Sequence, residues 1–113
     1  MRWILALLLL TGCGGFVHNE PLVGPYALLA TDSPEQLYVG RVLPSGAAVE
    51  VIPPQVDALG YDDHYVVAHV KEKGYFYVAV GAGNSVGPLD QAHYTEDKAR
   101  LSLPEFRRKP GRL

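Results

Sequence analysis

The sequence predicts an α+β fold: a small antiparallel β-sheet of about five to six strands with one C-terminal α-helix packed on it. Three observations predict it. Short apolar runs rich in β-branched and aromatic residues recur along the chain, separated by Pro, Gly, Asp and Ser. Only one stretch, after Leu89, carries helical spacing behind a good N-cap residue. The length of 113 residues fits one domain with one modest core.

The N-terminus reads as an address rather than as structure. Arg2 precedes an unbroken apolar run from Trp3 to Leu10, and small residues follow. That is the layout of a secretory signal peptide. As a helix this run would rise only about 12 Å, far short of the roughly 30 Å hydrocarbon core, so it cannot span a membrane. The single cysteine of the chain sits where cleavage is expected. Leu10-Thr11-Gly12-Cys13 resembles the lipobox of bacterial lipoproteins. The resemblance implies lipidation of the Cys13 thiol, removal of residues 1–12, and a mature chain held at the extracytoplasmic face of a bacterial membrane. Gly14 at the next position, rather than Asp, is in that family compatible with the outer membrane. Each buried CH₂ contributes about 0.8 kcal/mol, so one acyl chain is marginal and several hold stably. Gly14, Gly15 and Pro21 then predict a flexible tether over 13–22. Residues 23–105 form the expected globular domain and 106–113 a basic tail.

Within the domain, residues 26–31 are apolar and bounded by Pro25 and by the turn chemistry of Asp32-Ser33-Pro34. Residues 36–43 form a second strand, in which Gly40 marks a bulge or a close backbone approach. Residues 47–52 form a short third, ended by Pro53-Pro54, which lack amide donors. Pairing resumes at 56–60, and Tyr61-Asp62-Asp63-His64 is a turn. Residues 65–70 and 75–80 are the strongest strands, joined by the charged tip Lys71-Glu72-Lys73-Gly74. Both are near-continuous apolar runs, which predicts that both of their faces are covered.

Residues 81–87 read as a glycine-rich loop. The helix runs from Asp90 to about Leu101. Asp90 as N-cap places Leu89 and Tyr94 at the spacing of a hydrophobic staple. Tyr94, Lys98 and Leu101 share one helical face.

Gly60-Tyr61-Asp62-Asp63-His64-Tyr65-Val66-Val67-Ala68, the aromatic strand Tyr75-Phe76-Tyr77-Val78, Gly87-Pro88-Leu89 and the Leu101-Ser102-Leu103-Pro104 helix end follow one another in this order. The combination resembles a group of small bacterial lipoproteins, a family of unknown function. The likeness covers about residues 24–106 and departs at Val78-Ala79-Val80, where such proteins carry a more polar strand end. It implies a fold and a location, and it brings no catalytic or binding residues with it.

Several constellations bear on chemistry. Asp62, Asp63, His64 and His69 are metal-ligand types, but on a strand His64 and His69 point to opposite faces, and Asp-Asp is ordinary turn chemistry. No metal site is expected, and no cofactor. Ser33, Ser45, Ser85 and Ser102 lie in turns or at the helix end, and none stands in a Gly-x-Ser-x-Gly elbow, so no catalytic residue is expected. The loop 81–87 lacks the Gly-Lys-Ser/Thr ending of a phosphate loop. A net charge of -2 argues against a nucleic-acid partner.

Of the seven tyrosines, Tyr65, Tyr75 and Tyr77 cluster on one predicted hairpin. They form a candidate binding face, because tyrosine offers amphipathic contact area at low entropic cost. All acidic residues lie upstream of Phe106, while Arg107, Arg108, Lys109 and Arg112 gather in the tail. Such a tail suits anionic lipid or cell-wall polymer. The expectation is a lipid-anchored, non-enzymatic module of the cell envelope that binds a protein partner or serves as a structural accessory. The alternative is a small inhibitor or modulator of a periplasmic enzyme. A small enzyme or metal binder ranks below both.

Overall fold

Eight strands in two four-stranded antiparallel sheets, followed by one helix, make up the computed structural model, which describes residues 16–107. The first sheet is a meander of β1 (His18–Pro21), β2 (Tyr26–Ala30), β3 (Tyr38–Val42) and β4 (Ala48–Ile52). The second is a meander of β5 (Val56–Tyr61), β6 (Tyr65–Val70), β7 (Gly74–Ala79) and β8 (Ser85–Leu89). Helix α1 (Gln91–Leu101) follows. The α+β class and the single C-terminal helix stand. The expected single sheet of five to six strands does not, because two edge strands were hidden in the sequence and the chain changes sheet once.

The change of sheet falls at Pro53-Pro54. Without amide donors these residues cannot continue the ladder, and Gln55 takes a left-handed conformation with φ 72°. The amide of Val56 then donates to the carbonyl of Leu37 at 2.9 Å, tying the start of the second sheet to the first.

The missed strands are β1 and β8. His18-Asn19-Glu20-Pro21 has no apolar alternation, so it reads as tether, yet all four residues pair with β2 in the register His18↔Ala30 to Pro21↔Ala27. The ordered sheet therefore begins inside the segment expected to be a linker. Ser85-Val86-Gly87-Pro88-Leu89 reads largely as a glycine-rich loop, yet it pairs with β7 through Tyr75↔Leu89 and Val78↔Ser85. Both strands lie at sheet edges, where proline costs no ladder bond on the open side.

The sheets pack face to face over one core. Tyr26, Leu28 and Ala30 of β2 meet Val66, Ala68 and Val70 of β6 and Phe76 and Val78 of β7, with Val39, Ile52 and Leu59 filling between. Leu28, Val39, Ile52 and Val66 are fully buried, each stabilising the fold by roughly 1.5–3 kcal/mol relative to exposure. Leu29 points to the other side of β2 and is also fully buried. It lies over Gly40, where an added methyl would stand 2.9 Å from its Cδ1. The ladder slips between Val39 and Gly40, so Gly40 supplies both the bulge and the close approach.

The second sheet is covered on its other face by α1. Val67, Tyr77, Tyr94 and Leu103 form this second core, with Tyr65, Tyr75, Leu89, Leu101 and Phe106 packed around it. That burial on both sides explains why β6 and β7 read as continuous apolar runs. Asp90 caps the helix, its side chain accepting from the amide of His93 at 2.8 Å. Ser102 ends it in the left-handed conformation, where its N–H reaches the carbonyl of Lys98. The chain then runs back along the edge of β5: the amide of Arg107 donates to the carbonyl of Leu59 at 2.8 Å. A side chain at Gly60 would overlap the carbonyl of Glu105, so glycine is what allows this strap to close the sheet edge.

Candidate functional site

The structure does bring Tyr65, Tyr75 and Tyr77 together, on the face of the second sheet that looks toward α1. Val67↔Tyr77 and His69↔Tyr75 are cross-strand pairs. Tyr65 meets Tyr77 edge to face with ring centroids 6.1 Å apart. Tyr75 stacks on Tyr94 of the helix at 4.5 Å and 10°, and Phe106 lies 6.0 Å from Tyr94. The face is thus largely occupied by the chain's own helix and strap. Tyr77 is buried and its hydroxyl donates to Asp97 Oδ2 at 2.8 Å. Tyr65 and Tyr75 remain half-buried.

Charges around this face are matched locally. Burial raises the Tyr77 pKa, helped by its hydrogen bond to Asp97. The Arg100 guanidinium, 3.0 Å from Asp97, and the Tyr77 hydroxyl hold the Asp97 carboxyl below its ordinary range. Tyr94 differs. Burial, with the nearby charge of Glu105 and the neighbouring Tyr75, pushes it up to about 12. Its hydroxyl is buried without a hydrogen-bond partner among the described residues.

What stays open lies beside Tyr65. A groove of about 630 Å³ is lined by the turn Asp62, Asp63 and His64, by Tyr65, by Ala79, Val80 and Gly81 after β7, and by Leu101 and Ser102 at the helix end. The turn is rigid. Asp62 Oδ1 accepts from the amides of both His64 and Tyr65 at 2.8 Å, and the amide of Asp62 donates to the carbonyl of Tyr65 at 3.0 Å. With Asp62 engaged in the backbone, exposed Asp63 and His64 form the polar rim, while Tyr65, Ala79, Val80 and Leu101 form the apolar wall. Such a groove suits a partner side chain that is apolar at one end and polar or cationic at the other.

The four residues weighed as metal ligands are divided. His69 Nδ1 lies 2.6 Å from Asp57 Oδ1 and its ring meets Tyr75 at 4.8 Å, whereas His64 belongs to the turn at the groove. Among the described residues, no group of three or more His, Cys, Asp or Glu side chains is placed to hold a metal ion. Asp57 was not singled out from sequence; it sits where the β5 ladder slips between Val56 and Ala58, a placement no periodicity reveals.

The signal segment and Cys13 lie outside the described residues, as does the tail beyond Arg107. Arg107 itself rests over the ring of Tyr61, 4.1 Å from its centroid. No described helix is long and apolar enough to cross a membrane. Comparison of the chain with family models, curated proteins and solved structures finds no match.

Proposed function

We propose that this chain is a lipid-anchored, non-enzymatic module of the bacterial cell envelope, held through Cys13 and presenting the groove beside Tyr65 to a protein partner. The observation that carries the reading is the sequence Leu10-Thr11-Gly12-Cys13. The chain's one thiol stands three residues after an apolar run headed by Arg2, behind the small residues Thr11 and Gly12. The groove supports the binding role, since it combines an apolar wall with a polar rim. The basic residues Arg108, Lys109 and Arg112 add a second contact, to anionic lipid or cell-wall polymer.

The test is Cys13→Ser. Wild-type protein should stay with membranes through high-salt washing and the variant should not. A variant that sediments as well as wild type would refute the anchor.

The alternative is an inhibitor or modulator of a periplasmic enzyme. The Asp62–Tyr65 turn favours it, because one carboxylate bonded to two amides presents Asp63 and His64 with little entropy left to lose on binding.

A further inference from the structure

We infer that the domain stands on the membrane with the end of the sandwich at Val17 facing the lipid surface and the Asp62–Tyr65 groove facing away from it. This rests on the lipid anchor proposed above and adds an orientation that the anchor alone does not specify.

Reach sets the orientation. Val17 is already paired with the first sheet, its amide donating to the carbonyl of Ala30 at 2.8 Å. From Cys13 to Val17 a fully extended chain covers at most about 14 Å. A lipid on Cys13 sits at the headgroups, so whatever surrounds Val17 is held near them. A long linker would leave the domain free to tumble; one this short keeps the Val17 end near the headgroups.

The strand pairing defines what surrounds Val17. Ala30 ends β2, and the neighbouring strand begins beside Leu37, whose carbonyl accepts from Val56. Val56 pairs with Val70, and Val70 with Gly74. The exposed β6–β7 turn, with Lys71 and Lys73, therefore belongs to the same end as Val17. Tyr65 starts β6 and lies five residues up the strand from Val70, about 17 Å away. The groove opens at that opposite end.

Attraction is not needed for this arrangement. Lys71 and Lys73 share their end with Asp32, Glu35, Asp57, Glu72 and Asp90, so that end carries a net negative charge. The short tether imposes the orientation, and a partner is left to approach the groove from the aqueous side.

The test uses full-length protein, matured and lipidated in a bacterial host and reconstituted into phosphatidylethanolamine–phosphatidylglycerol vesicles. One variant carries Lys73→Cys and another Asp63→Cys, each labelled with a nitroxide. Relaxation by a nickel chelate fixed to the lipid headgroups should be several-fold stronger at position 73 than at 63. Inserting a long Gly-Ser segment between Gly15 and Phe16 should erase the difference. Equal relaxation at the two positions in vesicle-bound protein, or stronger relaxation at 63, overturns the orientation while leaving the anchor intact. Protein that fails to sediment with the vesicles overturns both.

Discussion

The ring of Tyr75 lies on the ring of Tyr94, with centroids 4.5 Å apart and planes 10° from parallel. The pair joins the second sheet to the helix, and Phe106 completes it from the strap. Replacing Tyr94 with Ala removes a large side chain that is 5% exposed and should cost about 3–5 kcal/mol, as aromatic truncations in cores do. Equilibrium unfolding in urea measures it.

Two tyrosine hydroxyls on this face should respond oppositely to removal. Tyr77→Phe gives up the hydrogen bond to Asp97 and should lose about 1 kcal/mol. Tyr94→Phe removes a buried hydroxyl that has no partner among the described residues, so stability should be unchanged or should rise. Denaturation midpoints of the two variants decide this, and a loss at Tyr94 equal to that at Tyr77 would contradict it.

Alkaline pH should loosen the helix from the sheet. The folded pKa of Tyr94 is raised to about 12 from an ordinary value of 10.0, and that of Tyr77 is raised too. A raised folded pKa means the unfolded chain gives up its proton first. Stability from these groups is complete below pH 10.0 and is lost as pH rises toward about 12. Tyr94→Phe should flatten the decline. Thermal melts across this range, followed by near-ultraviolet circular dichroism, test it.

The helix N-cap should show a different window. The amide and ring of His93 hold the Asp90 carboxyl below its ordinary 3.8, and Asp90 raises His93 above its ordinary 6.5. Asp90 therefore contributes above pH 3.8 and stops contributing as pH falls through its lowered folded value. His93 contributes below pH 6.5 and stops as pH rises through its raised value. Asp90→Ala should lower Tm most between these limits and least in strong acid.

Gly60→Ala should push the strap off the edge of β5, because the methyl overlaps the carbonyl of Glu105. Overpacking of this kind costs about 1–3 kcal/mol. The amide of Arg107, bonded to Leu59, should exchange with solvent faster in the variant. Unchanged exchange would mean the strap does not close the edge.

The strands that the sequence made plain were those buried on both faces. Val66, Val67, Val78 and their neighbours form β-rich runs whatever their partner. β1 and β8 are not legible in the sequence because an edge strand needs no apolar alternation, and Pro21, Gly87 and Pro88 mimic linker chemistry. Tyr65, Tyr75 and Tyr77 belong to one hairpin that the sequence itself predicts, and the register puts them on one face of it. That the helix lies on them depends on Tyr94 and Phe106, far away in the chain, and no local pattern encodes that contact. The groove was half legible: Asp62-Asp63-His64 announces a turn, but its opposite wall, Leu101 and Ser102, arrives only when the helix docks.

Cys13 is where the account is most exposed. Intact-mass and N-terminal peptide analysis of the protein extracted from membranes tests it directly. The expected mature chain begins at Cys13 and carries a diacylglyceryl group on its thiol. A soluble chain, or one whose Cys13 thiol is unmodified, would contradict it.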